Sequence, residues 1–368
     1  MHPGQQPPTK GPSTEAERQG TPVRLGTVEG LLIGTPIYDG DFADPFVLAQ
    51  DGTAFAYATN TVDANVPVLQ WIAQDSGRYL GDALPELPAW TSKGLVWAPA
   101  VWARPDGTYV LYYTTVDNAS KKQCLSRATA SNPAGPFTDG SAAAFVCPLE
   151  LGGAIDPGIF VTPDGVVHLL YKNDGNCCGL PTSIWSVPLS SDGLSPAGEP
   201  TRLITADQPW EGGLIEGPSM VSDGGTFYLF YSANAWNTAH YAIGYAICQS
   251  LQGPCTKPQQ TPWMDSTTFA KGPGGEEFFS TPSGVWMVYH GWAQGQVGAP
   301  DAERRLYLDG LTVEAGTPER IGREVAEAAL ARVLVPVALA VAALAALAWW
   351  GMHRRRRGRR GEGPLRAG

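Results

Sequence analysis

Charged residues are scarce in this sequence, and long amphipathic helical stretches are nearly absent. Asp, Glu, Lys and Arg make up only 16% of the 368 residues, whereas the chain holds 44 glycines and 32 prolines. So many turn-forming residues favour short strands over packed helices. The formal net charge is −10, although a run of arginines from Arg354 adds positive charge at the C-terminal end. An acidic chain argues against a nucleic-acid partner, whereas a neutral substrate is not repelled by it.

The cysteines lack the Cys-x-x-Cys spacing of zinc sites and thioredoxin motifs. Six cysteines with short separations suit disulfides and an oxidising compartment, with free buried thiols as the alternative. Two pairs flank hairpin turns, and a third pair is adjacent in sequence, where a disulfide is a rare arrangement. The expected disulfides are Cys248–Cys255, Cys124–Cys147 and, less directly supported, Cys177–Cys178.

An apolar run, VLVPVALAVAALAALAWW, occupies residues 333–350 and is about the shortest length that spans a bilayer. Trp349 and Trp350 suit an interfacial aromatic belt, and RRRRGRR follows, so we expect a transmembrane helix in preference to a buried core helix. The positive-inside rule then makes residues 351–368 a basic cytoplasmic tail and places the preceding domain outside the cytoplasm, anchored to the membrane. Residues 1–30 read as a disordered, Pro-rich leader with no visible export signal.

One pattern returns five times between residues 31 and 314: a Pro-containing or Gly-Pro start, an apolar strand, a Gly turn and an aromatic-rich strand. Successive copies start roughly 55–60 residues apart, as propeller blades do. The sequence therefore predicts an all-β fold, a five-bladed β-propeller around a central channel, followed by one C-terminal transmembrane helix. Residues 315–332 are expected to form a helical connector. The copies are ADPFVLAQDGTAFAYATN, APAVWARPDGTYVLYYTT, IDPGIFVTPDGVVHLLYKN, EGPSMVSDGGTFYLFYSAN and GPGGEEFFSTPSGVWMVYHGW.

Three carboxylic acids stand at the starts of these repeats. The residues at the equivalent position of the five repeats are Asp44, Ala98, Asp156, Glu216 and Gly272. Because the first strand of each blade lines the channel, we expect these positions to meet at one mouth. Asp-Pro is also a common turn dipeptide, but three acids in separate repeats favour a functional reading. Crowded carboxyls raise one another's pKa, which supplies the protonated acid and the ionised base that glycoside hydrolysis needs.

Polar residues at the ends of the second strands are expected near these acids, and three tryptophans are candidates to stack on sugar faces. Each tryptophan has blade packing as its alternative. The polar residues are Asn60, Lys172, Asn173, Asn234 and His290, and the tryptophans are Trp71, Trp97 and Trp236.

The runs ADPFVL, WAPAVW, IDPGIF, IEGPSM, GPGG and YHGW resemble glycoside hydrolase family 43 over about residues 38–313. The resemblance implies a five-bladed propeller that hydrolyses arabinofuranosides, arabinan or xylosides with inversion. It implies that Asp44 is the general base, that Glu216 is the general acid, and that Asp156 positions this acid and tunes its pKa. Arg304, in ERRLYLDGL, fits the arginine that contacts the sugar in the family. Trp97, Asn173, Asn234 and His290 complete the expected substrate-binding set, in a protein that we expect to be a monomer.

Two positions depart from the family pattern. Many members carry an acid where this chain has Ala100, and many carry a His where it has Gly275. That His usually holds a central water or metal ion, so we predict no metal ligand and no required cofactor, although the family allows a central calcium. Glu211 is a competing acid near Glu216, but no Gly-Pro follows it.

Three other functions remain open from the sequence. An endo-arabinanase of the same family is one, and a non-catalytic, membrane-tethered carbohydrate-binding propeller is another. A retaining, invertase-type fructosidase is a third. Such enzymes use an Asn-Asp-Pro-Asn motif, whereas this chain reads Ala43-Asp44-Pro45-Phe46.

Overall fold

A computed structural model of the protein describes residues 36–321, except 39, 51, 73–76 and 283. The expected leader at 1–30, the expected membrane helix at 333–350 and the basic tail at 351–368 lie outside the described residues. Within the described range, no helix is long and apolar enough to cross a bilayer.

The described residues form five antiparallel sheets, each a blade that follows one copy of the sequence repeat. Blade 1 comprises β1 (Phe46–Gln50), β2 (Thr53–Tyr57), β3 (Pro67–Ile72) and β4 (Arg78–Asp82). Blade 2 comprises β5 (Trp97–Ala103), β6 (Tyr109–Val116) and β7 (Gln123–Ala130). Blade 3 comprises β8 (Ala154–Val161), β9 (Val167–Asn173), β10 (Ser183–Pro188) and β11 (Thr201–Thr205). Blade 4 comprises β12 (Ile215–Asp223), β13 (Thr226–Ala233) and β14 (Ala242–Cys248). Blade 5 comprises β15 (Lys271–Thr281), β16 (Gly284–Trp292), β17 (Arg304–Glu314) and β18 (Thr317–Arg320).

The first strands of the blades adjoin one another in a closed ring, in the order β1, β5, β8, β12, β15 and back to β1. This confirms the five-bladed propeller, with the first strand of each blade at the axis. In blades 2 and 4, isolated bridges such as Thr129↔Thr138 and Ile247↔Thr256 take the place of a fourth strand. Within the described part of the chain, three short 3₁₀ helices, Leu149–Leu151, Gly175–Cys178 and Pro209–Glu211, lie in the connections.

Apolar side chains fill the spaces between neighbouring blades. Five buried clusters join blades 1 and 2, 2 and 3, 3 and 4, 4 and 5, and 5 and 1. The second strands supply much of this core, and Tyr57, Tyr112, Tyr171, Tyr231 and Tyr289 are all almost fully buried. Because successive side chains of a strand face opposite sides, the consecutive apolar residues of one strand pack against both neighbouring blades.

The ring closes through the segment before β1. The Ile37 N–H donates to the Leu306 carbonyl over 2.8 Å, and the Phe42 N–H donates to the Arg304 carbonyl over 2.8 Å. This segment therefore lies alongside β17, and blade 5 is fixed to the chain immediately before Asp44.

Blade 5 also extends further than the sequence predicts. A helical connector was expected from residue 315, but Thr317–Arg320 form β18, which pairs with β17. The cause is a tight turn in which Ala315 and Gly316 both have positive φ, the conformation that favours hairpins. The Arg320 guanidinium also donates to the carboxylate of buried Asp309, which holds the new strand in place.

Every cysteine is disulfide-bonded, as expected from their even number. The pairs are Cys124–Cys147, Cys177–Cys178 and Cys248–Cys255.

Candidate active site

The first strands share a sharp turn at the channel mouth. The residue before the proline that recurs in the repeats has positive φ in four blades: Asp44 at 49°, Ala98 at 43°, Asp156 at 56° and Gly217 at 60°. Asp tolerates this left-handed conformation better than most residues, and Gly adopts it without strain. Pairing with the second strand is irregular at the same point in β5, β8, β12 and β15. The bulges free the turn residues from the ladder and direct them toward the axis.

Glu216 does not occupy the register that the sequence suggested. In the strand pairing of blade 4, Glu216 lies opposite Ser232, just as Ile155 lies opposite Lys172 in blade 3. Glu216 is therefore the equivalent of Ile155, and Gly217 is the equivalent of Asp156. The prolines that follow the turn, Pro157 and Pro218, are the equivalent residues. In blade 5 the corresponding position is Gly275 and not Gly272, because Gly274 pairs with His290.

The axis is closely packed around Gly275. A Cβ on this residue would lie 2.7 Å from His290 Nδ1 and 3.0 Å from Asp44 Cα. Both distances are too short for an unstrained contact, so no side chain fits here while His290 is in place. Many family members carry a His at the position of Gly275. In this chain the imidazole of His290, from β16, fills the space beside Gly275 instead.

Asp44 is held as an ionised carboxylate. Its Oδ2 accepts a 2.6 Å hydrogen bond from Thr59, and the Arg304 guanidinium donates to both oxygens over 3.3 and 3.4 Å. Burial raises the pKa of this carboxyl, but the Arg304 charge and the hydrogen bonds outweigh it, and the pKa lies below its ordinary value. The side chain keeps 23% of its surface exposed. Asp44 can therefore act as a base that meets water in the channel.

His290 is a neutral imidazole. Its Nδ1 accepts the Asp44 N–H over 3.0 Å, so that nitrogen carries no proton. Burial and the neighbouring Arg304 lower the His290 pKa to about 3. The 3.4 Å approach of His290 to the Asp44 carboxylate is thus not a salt bridge at neutral pH, and the ionisation of Asp44 depends on Arg304 and Thr59.

A central metal ion would find few protein ligands at this axis. His290 Nε2 is buried without a hydrogen-bonding partner among the described residues. Those residues contain no group of three His, Cys, Asp or Glu side chains that could hold a metal ion. One imidazole nitrogen does not define a metal centre, so we assign no chemistry to a metal here.

Glu216 accepts two hydrogen bonds from buried donors. The Tyr241 hydroxyl lies 2.9 Å from Oε1, and the Lys172 ammonium lies 3.4 Å from Oε2. Its side chain is 12% exposed. The carboxyl is therefore fixed in direction while one edge of it still reaches the channel.

Lys172 is a completely buried cation. Besides Glu216, its ammonium donates to Asn176 over 2.6 Å and to Asp174 over 3.4 Å. Burial alone would lower its pKa, but the charges of Glu216, Asp174 and Asp156 outweigh burial and raise it. Lys172 therefore stays charged and links the acid to the loop that carries the Cys177–Cys178 disulfide.

Asp156 forms a pair with the Glu216 carboxyl. Its pKa is raised to about 8 by burial and by the charge of Glu216, which together outweigh the opposing charge of Lys172. Its Oδ2 accepts the Gly217 N–H over 3.0 Å, a bond that links it to the residue after Glu216. Two coupled carboxyls titrate as a pair, and this pair holds one proton at neutral pH. Gly217 also lies beside Gly275, since a Cβ on Gly217 would be 3.8 Å from Gly275 Cα, and Gly275 in turn adjoins Asp44. These contacts bring Asp44, Asp156 and Glu216 around one site.

Comparison with known proteins identifies the family of the chain. The model of glycosyl hydrolases family 43 matches residues 33–318, well over half of the chain. The chain belongs to glycosyl hydrolases family 43. It is a glycoside hydrolase.

The names of individual relatives differ in the substrate that they state. A beta-D-galactofuranosidase, xynD, of Aspergillus niger is 24% identical over 72% of this chain and 78% of its own length. An arabinan endo-1,5-alpha-L-arabinosidase A of Aspergillus niger is 25% identical over 73% of this chain and 86% of its own length. The crystal structure of a thermostable family-43 glycoside hydrolase superposes with a TM-score of 0.67 at 26% identity, covering 77% of this chain and 93% of that one.

Arg304 contacts both the Asp44 carboxylate and the Trp236 ring in this family-43 hydrolase. The Arg304 guanidinium lies 4.7 Å from the centre of the Trp236 ring, which in turn stacks on Trp292. Trp236 therefore positions the cation beside Asp44, and its ring is already in contact with protein groups. Trp97 is half-buried at the start of β5 and holds the place in the strand pairing of blade 2 that Glu216 holds in blade 4. Its role in stacking on a sugar remains a prediction.

Other expected residues have structural partners. Both donors and the acceptor of the buried Asn173 amide are occupied, by Leu151, Pro181, Ser183 and Trp185. The Asn234 amide donates to the Trp210 carbonyl and closes the loop before β12.

The remaining candidates likewise lie in protein packing. The Asn60 Oδ1 accepts the Val96 N–H. Trp71 is only 3% exposed in the core between blades 5 and 1, which excludes sugar stacking. Glu211 is fully buried and bound by Lys257 and Tyr231, so its carboxyl has no exposed edge to offer a substrate.

Sequence reasoning missed Tyr241. This residue precedes β14, outside the repeat positions that were compared, and reaches Glu216 from the connection after β13. The only available signal was its place in the loop that follows a strand ending at the channel mouth.

Proposed function

We propose that the protein is an inverting hydrolase of pentose-containing plant polysaccharides or oligosaccharides, of the α-L-arabinofuranosidase or β-xylosidase type. The relatives named above act, by their names, on galactofuranosides and on arabinan, so arabinofuranosides are the first substrates to test. The observation that carries the proposal is the electrostatic contrast between the acids: Asp44 is ionised, whereas the Asp156–Glu216 pair retains one proton. Inverting hydrolysis needs such a contrast.

In the proposed mechanism, Asp44 removes a proton from a water that attacks the anomeric carbon. Glu216 donates the proton of the carboxyl pair to the leaving oxygen as the glycosidic C–O bond breaks. The products are a sugar of inverted configuration and a free hydroxyl on the leaving group. Asp156 supplies the negative charge that keeps a proton in the pair, and Arg304 holds Asp44 and contacts the sugar. Inversion predicts that Asp44 and Glu216 lie about 6.5–9.5 Å apart, which leaves room for the water.

Replacement of the two main acids tests these roles. Asp44→Asn and Glu216→Gln should each lower kcat at least about 100-fold on nitrophenyl arabinofuranoside while the melting temperature changes little. Asp223→Asn, at the solvent-exposed end of the same strand as Glu216, is the matched control and should leave kcat unchanged. Proton NMR of the first product should show the inverted anomer. If the unmutated protein hydrolyses no pentoside, the carbohydrate-binding alternative is favoured, and retention of configuration would contradict the assigned roles.

An endo-arabinanase is the second candidate, because several relatives are named as arabinan endo-1,5-alpha-L-arabinosidases. Product analysis on linear arabinan separates the two. Early release of arabinose alone indicates exo action, whereas early release of mixed oligosaccharides indicates endo action.

We also propose, from the sequence alone, that residues 333–350 anchor the enzyme to a membrane with its catalytic domain outside the cytoplasm. Fractionation of cells that express the full chain or a chain ending at residue 321 tests this. Both forms in the same fraction would rule out the anchor.

A further inference from the structure

The loop after β9 carries an exposed polar side chain beside the proposed acid. Asn176 lies in the 3₁₀ helix Gly175–Cys178, and its side chain is exposed. Its Oδ1 lies 2.6 Å from the Lys172 ammonium, and the same ammonium lies 3.4 Å from Glu216 Oε2. Asn176 is thus an exposed partner of a buried cation that also holds the acid. Neither the proposed mechanism nor the expected site residues include Asn176.

The contact with Lys172 fixes the orientation of the Asn176 amide. An ammonium has three protons to donate and no lone pair, so the amide atom that faces it must be the oxygen. The amide nitrogen, Nδ2, is then directed away from Lys172, and it donates to no group among the described residues. An unused N–H donor of set direction therefore faces solvent next to the acid.

The loop that holds Asn176 is anchored at both ends. The Asn173 amide, before the loop, donates to the Pro181 carbonyl, after it, over 3.0 Å. Gly175 is packed too closely for a side chain, since a Cβ there would lie 2.4 Å from the Pro181 carbonyl oxygen. The Cys177–Cys178 disulfide follows Asn176 directly and further restricts the backbone. The donor is therefore preorganised, unlike that of a freely rotating surface side chain.

The partners of the two main acids show on which side of the reacting bond this donor lies. Arg304 contacts Asp44, the proposed base. Lys172 contacts Glu216, the proposed acid, and also holds Asn176. In an inverting hydrolase the acid protonates the leaving oxygen, while the base activates a water on the opposite face of the sugar. The leaving group therefore extends from the oxygen that Glu216 contacts, on the side where Asn176 lies.

We propose that Asn176 is a specificity-determining residue that binds the leaving group when this group is a sugar. Its Nδ2 donates to a hydroxyl of the sugar that carries the leaving oxygen. This inference rests on the proposed role of Glu216 as the acid. A pentose residue offers hydroxyls close to the bond that breaks, whereas an alkyl leaving group offers none. The enzyme therefore favours oligosaccharides over simple alkyl glycosides by more than the acid alone accounts for.

The test compares two leaving groups that both need a proton. Arabinobiose releases a sugar, whereas methyl arabinofuranoside releases methanol, which has no further hydroxyl. Asn176→Ala removes the donor, so the ratio of kcat/KM for arabinobiose to kcat/KM for the methyl glycoside should fall about three- to tenfold. Asn176→Asp keeps an oxygen for Lys172 but loses the donor, and its ratio should fall as well. Xylobiose and methyl xyloside replace this pair if the enzyme hydrolyses xylosides instead.

Tyr241→Phe is the matched control, since Tyr241 donates to Glu216 through its hydroxyl but is only 2% exposed. It should change both kcat/KM values in the same proportion and leave their ratio as it is. The control therefore separates an altered acid from altered binding of the leaving group. A ratio that falls equally in Tyr241→Phe, or that stays constant in both Asn176 variants, would overturn the inference.

Failure of this inference differs from failure of the proposed function. If the unmutated protein hydrolyses no pentoside, the proposed function falls and this inference falls with it. If the protein hydrolyses arabinobiose with inversion while Asn176→Ala leaves the ratio unchanged, the proposed function stands and this inference alone is wrong. Both Asn176 variants should melt within a few degrees of the unmutated protein, because the side chain is exposed and Lys172 keeps Glu216 and Asp174 as acceptors.

Discussion

Removal of the Lys172 charge is the most informative perturbation of the site. The ammonium is completely buried, and it lies 3.4 Å from both Glu216 and Asp174. At an effective dielectric constant of about 20, each such pair attracts by about 5 kcal/mol, part of which is offset by desolvation. Loss of one partner of a buried pair costs about 3–5 kcal/mol. We therefore expect Lys172→Met to lose about 3 kcal/mol of stability at neutral pH.

This loss should depend on pH. Lys172 lowers the pKa of Asp174 and Asp156 against the effect of burial. Both pKa values nevertheless stay above the ordinary value in the unmutated protein, so the stability that Lys172 adds through these carboxyls is present above their folded pKa values and is lost as pH falls through them. The difference in urea-unfolding free energy between the unmutated protein and Lys172→Met should thus shrink as pH falls through about 8, the pKa of Asp156.

The same substitution should alter catalysis. Without the cation, the Asp156–Glu216 pair holds its proton to higher pH, so the basic limb of kcat/KM should move up by roughly one to two pH units. Lys257→Met is the matched control, because Lys257 is a buried lysine whose ammonium lies 2.6 Å from Glu211 in a structural pair. It should lose stability without moving the limb. If the pH profile of Lys172→Met superposes on that of the unmutated enzyme, our account of the acid is wrong.

Three further predictions concern other parts of the site and fold. Asp156→Asn removes the charge that keeps a proton in the pair, so the basic limb of kcat/KM should move to lower pH, and an unmoved limb in steady-state assays would contradict this. Trp236→Ala removes the ring beneath the Arg304 guanidinium; KM should rise several-fold with a smaller fall in kcat, and a change in kcat alone would argue against a positioning role. Removal of the Cys248–Cys255 disulfide by double substitution with Ser should cost about 2–3 kcal/mol in chemical unfolding and leave kcat unchanged.

The repeat and its acids were predictable because they follow from local patterns. Gly turns and apolar strands recur with one period, and this is enough to give five blades. The register of Glu216 was not predictable from the position of acids alone. A bulge at the channel mouth makes Gly217, and not Glu216, the equivalent of Asp156. Alignment on the prolines would have shown this.

The sequence placed Lys172 near the acids, but its burial and the other partners of Glu216 were harder to predict. A lysine at a strand end is usually exposed, and only the fold shows that Lys172 is buried among three carboxyls. Tyr241 contacts Glu216 from a loop. Such contacts are set by how blades pack, for which a single sequence has no periodic signal. The prediction that Trp71 stacks on a sugar face was wrong for the same reason, because the sequence does not show whether a single aromatic residue faces the core or the channel.

The two sides of the channel differ in how many carboxyls share a cation. Arg304 donates to the carboxylate of Asp44, which can ionise fully. The single positive charge of Lys172 interacts with three carboxyls, those of Glu216, Asp174 and Asp156. If all three were ionised, the buried negative charge would exceed the positive charge, and one proton is therefore retained. If the number of carboxyls that share a cation decides which of them ionise, Asp44 should be harder to ionise in Arg304→Met, where it has no cation. The Asp44 pKa should rise, and the acidic limb of kcat should move up by about one pH unit or more, measured at saturating arabinofuranoside. Arg304→Lys restores the charge and should return the limb toward its original position even where KM stays high. An acidic limb that does not respond to Arg304→Met would mean that Thr59 and the channel water, and not the guanidinium, keep Asp44 ionised.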